Sequence, residues 1–347
     1  MFIDLYLNFK NMSNISQTKI RFGVIGTSSI VDTVLRAARL DPRFELVAVY
    51  SRTQESANIF AEKHHISHTF VSLEDMAQSP LIDAVYIASP NSLHSSQSIL
   101  FMKHGKHVLC EKPFASNVKE TKAMIDASKA YNVTLMEAMK PTLTPNFKVV
   151  MENLHSLGTI RRYFASYCQY SSRYDSLKEG VVLNAFNPAL SNGAAVDIGI
   201  YTIYPMVVLF GRPKKVSATG ILLSTGVDGQ GAVNFEYENM NATILYSKIA
   251  DSQLSTEIQG EEGLISLDRI NTIRDVRICI KNKEEQHISY FDYDREYLHE
   301  VSEFIDLVQS GRRESVINSH ENSLITMEIL DEIRKQLGVV FPADAES

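Results

Sequence analysis

Between Lys19 and Glu137 the chain alternates short, β-rich apolar runs with helical stripes, and few folds satisfy that alternation. Arg21–Ile25 and Phe44–Tyr50 read as strands, followed by short strands at Thr69–Val71, Asp83–Ala88, His107–Leu109 and Val133–Glu137. Between them, Ser29–Leu40 carries Ile30, Val34, Leu35 and Ala38 at helical spacing, and Gln54–His64, Leu73–Gln78, Ser92–Lys103 and Lys119–Ala130 read likewise. Repeated β–α–β units bury their apolar surfaces by forming a parallel sheet with helices on both faces.

After about Pro141 the pattern changes. One helix, Asn146–His155, leads into longer strands at Thr159–Tyr170, Lys215–Leu223, Gly231–Tyr237, Ala242–Ile249, Ser255–Gln259 and Leu264–Leu267. Val233, Phe235 and Tyr237 alternate with Asn234, Glu236 and Glu238, which predicts a sheet buried on one side, as antiparallel sheets are. Glu296–Gln309 and His320–Leu337 read as closing helices. The expected division is an extension over 1–18, a dinucleotide-binding unit over 19–138 and an α+β substrate-binding and oligomerisation unit over 139–347. A chain of 347 residues suits two such units. The net charge of −7 argues against a general nucleic-acid or anionic-membrane binder. No apolar run is expected to approach the roughly 20 residues of a membrane span. Three scattered cysteines predict a reduced, cytoplasmic protein without a disulfide framework or metal site.

The turn after the first strand reads Gly26-Thr27-Ser28-Ser29-Ile30. Small residues here let backbone N–H groups and a helix N-terminus approach a pyrophosphate. The fit to G-x-G-x-x-G/A is partial, since Ser28 replaces the second glycine and Val31 the third small residue. Its place, after the first strand and opening a helix, is the context such a turn needs. Ser28 and Ser29 can offer hydroxyls to a phosphate or cap the helix. The second strand ends in Ser51-Arg52, with no carboxylate for a free ribose 2′-OH, so NADP is favoured and NAD is the second candidate. The bland reading of Arg52 is a solvated residue opening a helix.

Three further segments, Ser89-Pro90-Asn91-Ser92-Leu93-His94, Gly105-Lys106-His107-Val108-Leu109-Cys110-Glu111-Lys112-Pro113 and Gly193-Ala194-Ala195-Val196-Asp197-Ile198-Gly199-Ile200-Tyr201, occur in order after the Gly26 turn. Together these motifs resemble the Gfo/Idh/MocA family of NAD(P)-dependent oxidoreductases. Tyr201, where many inositol and sugar dehydrogenases have His, is more similar to the glucose–fructose oxidoreductase and dihydrodiol dehydrogenase branch. The resemblance implies a Rossmann doubly wound parallel sheet, then an α+β domain with a large open, mainly antiparallel sheet and substrate bound between them. It implies a catalytic Lys112, with Pro90, Asn91 and His94 beside the cofactor, and homodimers or homotetramers. Lys140-Pro141, where relatives often carry an aromatic residue and Arg, departs from the pattern.

Read from their own chemistry, Lys112 follows a strand at the sheet edge where α/β folds bind ligands, and can stabilise an oxyanion or release a proton. Asp197 and Tyr201, four apart, share a helix face; their bland readings are a first-turn charge and a core aromatic. A tyrosine beside a lysine ammonium is expected to have a lowered pKa. The expected catalytic set is Lys112, Tyr201 and Asp197, and the cofactor set also includes Ser89, Glu111 and Lys112 itself. The histidines at 64, 65, 68, 104 and 107 read as solvated surface. The expected activity is hydride transfer between a nicotinamide cofactor and the hydroxyl or carbonyl carbon of a sugar, polyol or diol. Two alternatives are a non-catalytic dinucleotide and sugar sensor, and an enzyme using transient oxidation to drive elimination.

Overall fold

The structure is a computed structural model describing residues 18–290 and 295–345. Apart from Thr18, whose carbonyl accepts from Gln309 Nε2 at 2.7 Å, the expected extension lies outside the described residues.

Six strands, β1 (Ile20–Ile25), β2 (Phe44–Tyr50), β3 (His68–Phe70), β4 (Ala84–Ile87), β5 (His107–Glu111) and β6 (Leu135–Ala138), form one sheet in the order β3-β2-β1-β4-β5-β6. Every pairing in it is parallel. One face packs Phe22 and Val24 against Val31, Val34 and Leu35 of helix Ser29–Ala38. The other face meets Met76, Phe101, Met102, Met124 and Ile125 from three further helices. Full burial of each such side chain contributes about 1.5–3 kcal/mol. That two-sided burial is why these strands read as continuous apolar runs rather than alternating ones.

The second sheet has eight strands: β7 (Ile160–Cys168), β8 (Lys215–Leu222), β9 (Asp228–Glu236), β10 (Asn241–Ser247), β11 (Thr256–Gly260), β12 (Gly263–Leu267), β13 (Val276–Ile280) and β14 (Gln286–His287). Their order is β14-β13-β12-β11-β7-β10-β9-β8, antiparallel except where β7 and β10 run together. The inner face packs Tyr163, Val233, Phe235 and Ile244 against Ile200, Ile203, Tyr204 and Val207 of helix Ile200–Phe210. The expected alternation holds in β9, where Val233 and Phe235 are buried and Asn234 and Glu236 exposed. Strands β13 and β14 were not anticipated.

Two expectations change. Pro188–Phe210 does reach membrane-spanning length and hydropathy over 23 residues, but 72% of that window is buried within the fold, as in the core helix of a globular domain. His64, read as solvated, is buried, with Nε2 at 2.7 Å from Asp32 Oδ1. Helix Glu296–Gln309 also returns to the first sheet: Val301, Phe304, Ile305 and Leu307 join the core around Phe22. Arg43 fastens this helix by bonding both Asp41 and Asp306.

Candidate active site

Register places the cofactor candidates side by side. Ile25 pairs with Tyr50 on one side and Ile87 on the other, so the chain leaving β1, β2 and β4 at Gly26, Ser51 and Ala88–Ser89 emerges along one edge. This is the carboxyl edge, at the point where strand order reverses, the usual ligand crevice of such sheets. Gly26 has φ +111°, and a Cβ there would lie 2.5 Å from the Ala88 carbonyl oxygen, so the turn closes over its neighbour only as glycine. Ser28 is the N-cap residue of helix Ser29–Ala38, yet its side chain makes no capping bond. The first turn of the helix is thus left without a cap from Ser28, and Thr27, Ser28 and Ser29 are exposed, with Ile30 partly so. This donor set and glycine cradle fit a dinucleotide pyrophosphate. Arg52 is exposed and Ser51 half-buried at the next strand tip.

The segment after β4 braces that edge. Ser89 Oγ donates to Gln97 Oε1 at 2.7 Å. His94 is buried, its Nδ1 2.9 Å from the Pro113 carbonyl and its Nε2 2.9 Å from the Ser89 carbonyl, so it joins the Ser89-Pro90 turn to the Lys112-Pro113 turn. Asn91 Nδ2 reaches across to the second unit, donating to the Ser191 carbonyl at 2.9 Å and Asn192 Oδ1 at 3.1 Å.

Lys112 stands just beyond β5, and its peptide bond to Pro113 is cis. Its Nζ donates to the Asp197 carbonyl at 2.8 Å and to Asp197 Oδ1 at 2.9 Å, bridging the two units. It also lies 5.1 Å from the centre of the Tyr201 ring. Burial disfavours the charged form of Lys112, but the Asp197 and Glu111 carboxylates outweigh it and raise its pKa. Burial likewise opposes the Asp197 carboxylate, yet Lys112 and Lys248 together hold its pKa far below the usual range. Glu111 accepts from the Tyr86 hydroxyl at 2.6 Å and from the Lys112 N–H at 3.2 Å.

Tyr201 requires a correction. Its pKa is raised well above the ordinary value, because burial dominates and Glu111, Tyr167 and Asp197 add negative charge around it. Lys112 meets the face of the Tyr201 ring by a cation–π contact, and burial with the surrounding negative charge outweighs its pull on the phenol. The Asp197 segment also differs from a plain helix. Ala195–Gly199 is a wide π turn that leads into helix Ile200–Phe210. Such turns recur where a side chain must be aimed.

Several site residues were absent from the sequence reading. Lys248 Nζ pairs with Asp197 Oδ2 and sits 5.2 Å from the centre of the Phe186 ring, its side chain only 5% exposed. Tyr167 packs edge-on against Tyr201 at 5.7 Å between ring centres. Asp228, fully buried, accepts from the Ala195 N–H at 2.7 Å and so anchors the wide turn. The departure at Lys140 is also buried: it pairs with Glu296, donates to Thr272 Oγ1 at 3.1 Å and lies over the Tyr297 ring.

A model for an oxidoreductase family with an NAD-binding Rossmann fold matches residues 20–139, and one for the GFO/IDH/MocA C-terminal domain matches residues 154–266. The scyllo-inositol 2-dehydrogenase (NADP(+)) of Bacillus subtilis is 53% identical over 325 residues, covering 94% of this chain and 99% of that protein. A trans-1,2-dihydrobenzene-1,2-diol dehydrogenase of Danio rerio is 30% identical, over 94% of this chain and 99% of its own length. Levoglucosan dehydrogenase, solved with NADH and levoglucosan, superposes with a TM-score of 0.84 at 20% identity, covering 92% of this chain and 98% of that one, and shares the fold. Motif order, two-sheet architecture and these matches place the chain in the Gfo/Idh/MocA family of oxidoreductases.

Proposed function

We propose that this protein is an NADP-favouring, NAD(P)-dependent oxidoreductase acting on a CH–OH carbon of a sugar or cyclic polyol, with inositol-like polyols foremost. The observation that carries the reading is the Lys112–Asp197 pair, which brings a fixed ammonium from the dinucleotide edge to the second unit. The 53% identity to an NADP-dependent scyllo-inositol dehydrogenase supports the substrate class. Residues Gly26–Ile30 would hold the pyrophosphate, Ser51 and Arg52 a 2′-phosphate, and Ser89, Pro90, Asn91 and Glu111 the remainder along the same edge. His94 would act through the backbone it braces. When bound, the nicotinamide dinucleotide supplies the two-electron acceptor or donor.

The chain's own residues manage the proton. As a carbinol carbon loses hydride, its hydroxyl must lose a proton; Lys112, having first released a proton to solvent, takes it up as the neutral amine, and the resulting ammonium faces the new carbonyl oxygen. Tyr201, with a raised pKa, stays a neutral phenol that orients the lysine and can donate a hydrogen bond to substrate oxygen. The intact pair counts against a purely regulatory role, and the free cysteines at 110, 168 and 279 support a cytoplasmic setting. Two units meeting at one site and a large open sheet support a homodimer or homotetramer with a small-molecule substrate.

Lys112→Met is the test. Turnover of scyllo-inositol with NADP⁺ should fall by roughly 10²–10⁴-fold, the scale of positioned acid–base catalysis. NADPH should still bind the variant, and more tightly than NADH, in a fluorescence titration. Near-wild-type turnover in the variant would move the chemistry away from Lys112.

A further inference from the structure

One carboxylate in this site serves two ammoniums. Asp197 gives Oδ1 and its carbonyl oxygen to Lys112, and Oδ2 to Lys248. The two lysines arrive from opposite units, Lys112 from the tip of β5 and Lys248 from just beyond β10. Backbone bonds fix Lys248 in place: its N–H donates to the Gly229 carbonyl at 2.8 Å, and its carbonyl accepts from Ser171 at 2.9 Å. The residue is 4% exposed and its ammonium lies over the Phe186 ring. A lysine sealed this way has lost most of its hydration, and nothing in the packing of β10 requires a charge there.

The geometry has two consequences for Lys112. An ammonium has three N–H donors, and Lys112 spends two on Asp197. The third N–H therefore points in one direction for as long as the carboxylate does not rotate, and Lys248 on Oδ2 prevents that rotation. Asp197 also divides its negative charge between two cations, so Lys112 is held less tightly in its charged form than a sole partner would be. We propose that Lys248 is a positioning residue for the reaction: by holding the second oxygen of Asp197 it aims the free N–H of Lys112 at the substrate oxygen and keeps the Lys112 proton transferable. This rests on the reading of Lys112 as the proton-handling group.

The charged neighbours bear on the direction of the effect. Asp197, Lys112 and Arg173 of helix Ser172–Lys178 surround Lys248, while Asp197, Glu111 and Tyr167 surround Lys112. Burial lowers the pKa of Lys248 and Asp197 pulls it back, whereas Lys112 is raised. Removing Lys248 deletes a cation and concentrates the Asp197 charge on Lys112, and both changes favour the Lys112 ammonium.

Trace labelling of the full-length protein with isotopic acetic anhydride reads this without any substrate, because only the neutral amine reacts. At about pH 9, below the ordinary lysine pKa of about 10.4, the Lys112 labelling rate in Lys248→Met should fall about tenfold, the size of one neighbouring charge. The exposed Lys103 serves as the internal standard. Lys248→Arg should return the rate toward wild type. In parallel, the acidic limb of the kcat/KM profile for scyllo-inositol oxidation should move up by about one pH unit in Lys248→Met. If Lys248 served only packing, its loss would open the site, and Lys112 would label as fast as wild type or faster with an unmoved pH profile; that result overturns the proposal. Because labelling needs no substrate, a wild-type protein inactive on scyllo-inositol overturns the polyol reading alone.

Discussion

Glu137 shows how far a single carboxyl can be moved by its surroundings. It lies in β6, 1% exposed, and burial raises its pKa to about 8. Ser323 and the Phe114 backbone face it and partly offset that shift, and Glu111 adds to it. A carboxyl whose folded pKa lies above its unfolded value of about 4.3 binds its proton more tightly in the native state. Its stabilising contribution is therefore full below about pH 4 and disappears as pH rises through 8. We expect the wild-type unfolding free energy, read from urea titrations, to fall by several kcal/mol between pH 4 and 7 and by about 1 kcal/mol more between pH 7 and 9. Glu137→Gln, which keeps the shape without the charge, should flatten that decline. Identical pH dependence in the two proteins would mean that Glu137 keeps its proton affinity on unfolding. At this scale the sequence was informative wherever a residue's chemistry was tied to a motif, as for Lys112 and Asp197. It misled where environment decided: nothing in the spelling of Tyr201 announces that burial outweighs the nearby ammonium.

The wide turn at Ala195–Gly199 is the element on which the site depends. Its entry is set by Asp228, whose Oδ2 takes the Ala195 N–H, and by Gly193, where a Cβ would lie 2.4 Å from Asp228 Oδ1. The glycine is there to let a buried carboxylate approach the backbone. Gly193→Ala should push Asp228 aside and shift Asp197 with the turn. Since a displacement of about 1 Å at reacting groups can cost 10²-fold, turnover should fall by roughly 10–10²-fold while NADPH binding, seated on the other unit, changes little. Equal turnover in Gly193→Ala would show that the turn tolerates the displacement. Val196, Ile200, Ile203, Tyr204 and Val207 form an apolar stripe that marks a helix but not its extra width, because one added residue per turn barely disturbs such a stripe. Lys248 was legible in principle. Ala242, Ile244 and Tyr246 mark the buried side of β10, and a lysine two residues further on keeps that inward parity, where a charge has to find a partner. Strand β13, with Val276 and Ile278 buried and Arg277 exposed, carried the same signal in five residues.

Across the whole molecule the two sheets are covered unequally. Helices enclose both faces of the parallel sheet, including Glu296–Gln309, which returns from the far end of the chain; only contact between distant segments reveals that return. Among the described residues, the helices that pack on the eight-stranded sheet join the core on its inner face. Its outer parity carries Phe164, Leu245 and Leu264 half-exposed and Ile221 51% exposed, beside Thr219, Ala232 and Thr243. A cavity of about 360 Å³ opens among Cys168, Thr219, Ile221, Ala232 and Leu245 on this side. Strand β8 runs at the sheet's edge with most of its residues exposed; Gln336 bonds its Val216 carbonyl and Ala218 N–H, and edges are otherwise blunted mainly with charge. Here the charge is confined to one end, at Lys215 paired with Glu236, while the other end finishes in Ile221 and Leu222. A mixed small and apolar face of this kind is suited to a matching surface, and a symmetric pair would place like against like. We expect the protein to be at least dimeric at micromolar concentration by light scattering. Ile221→Asp combined with Leu245→Asp should shift it toward monomer while leaving the Lys112–Asp197 contact on the opposite side of the sheet in place. A monomeric wild-type protein would show that this face is water-facing as it stands.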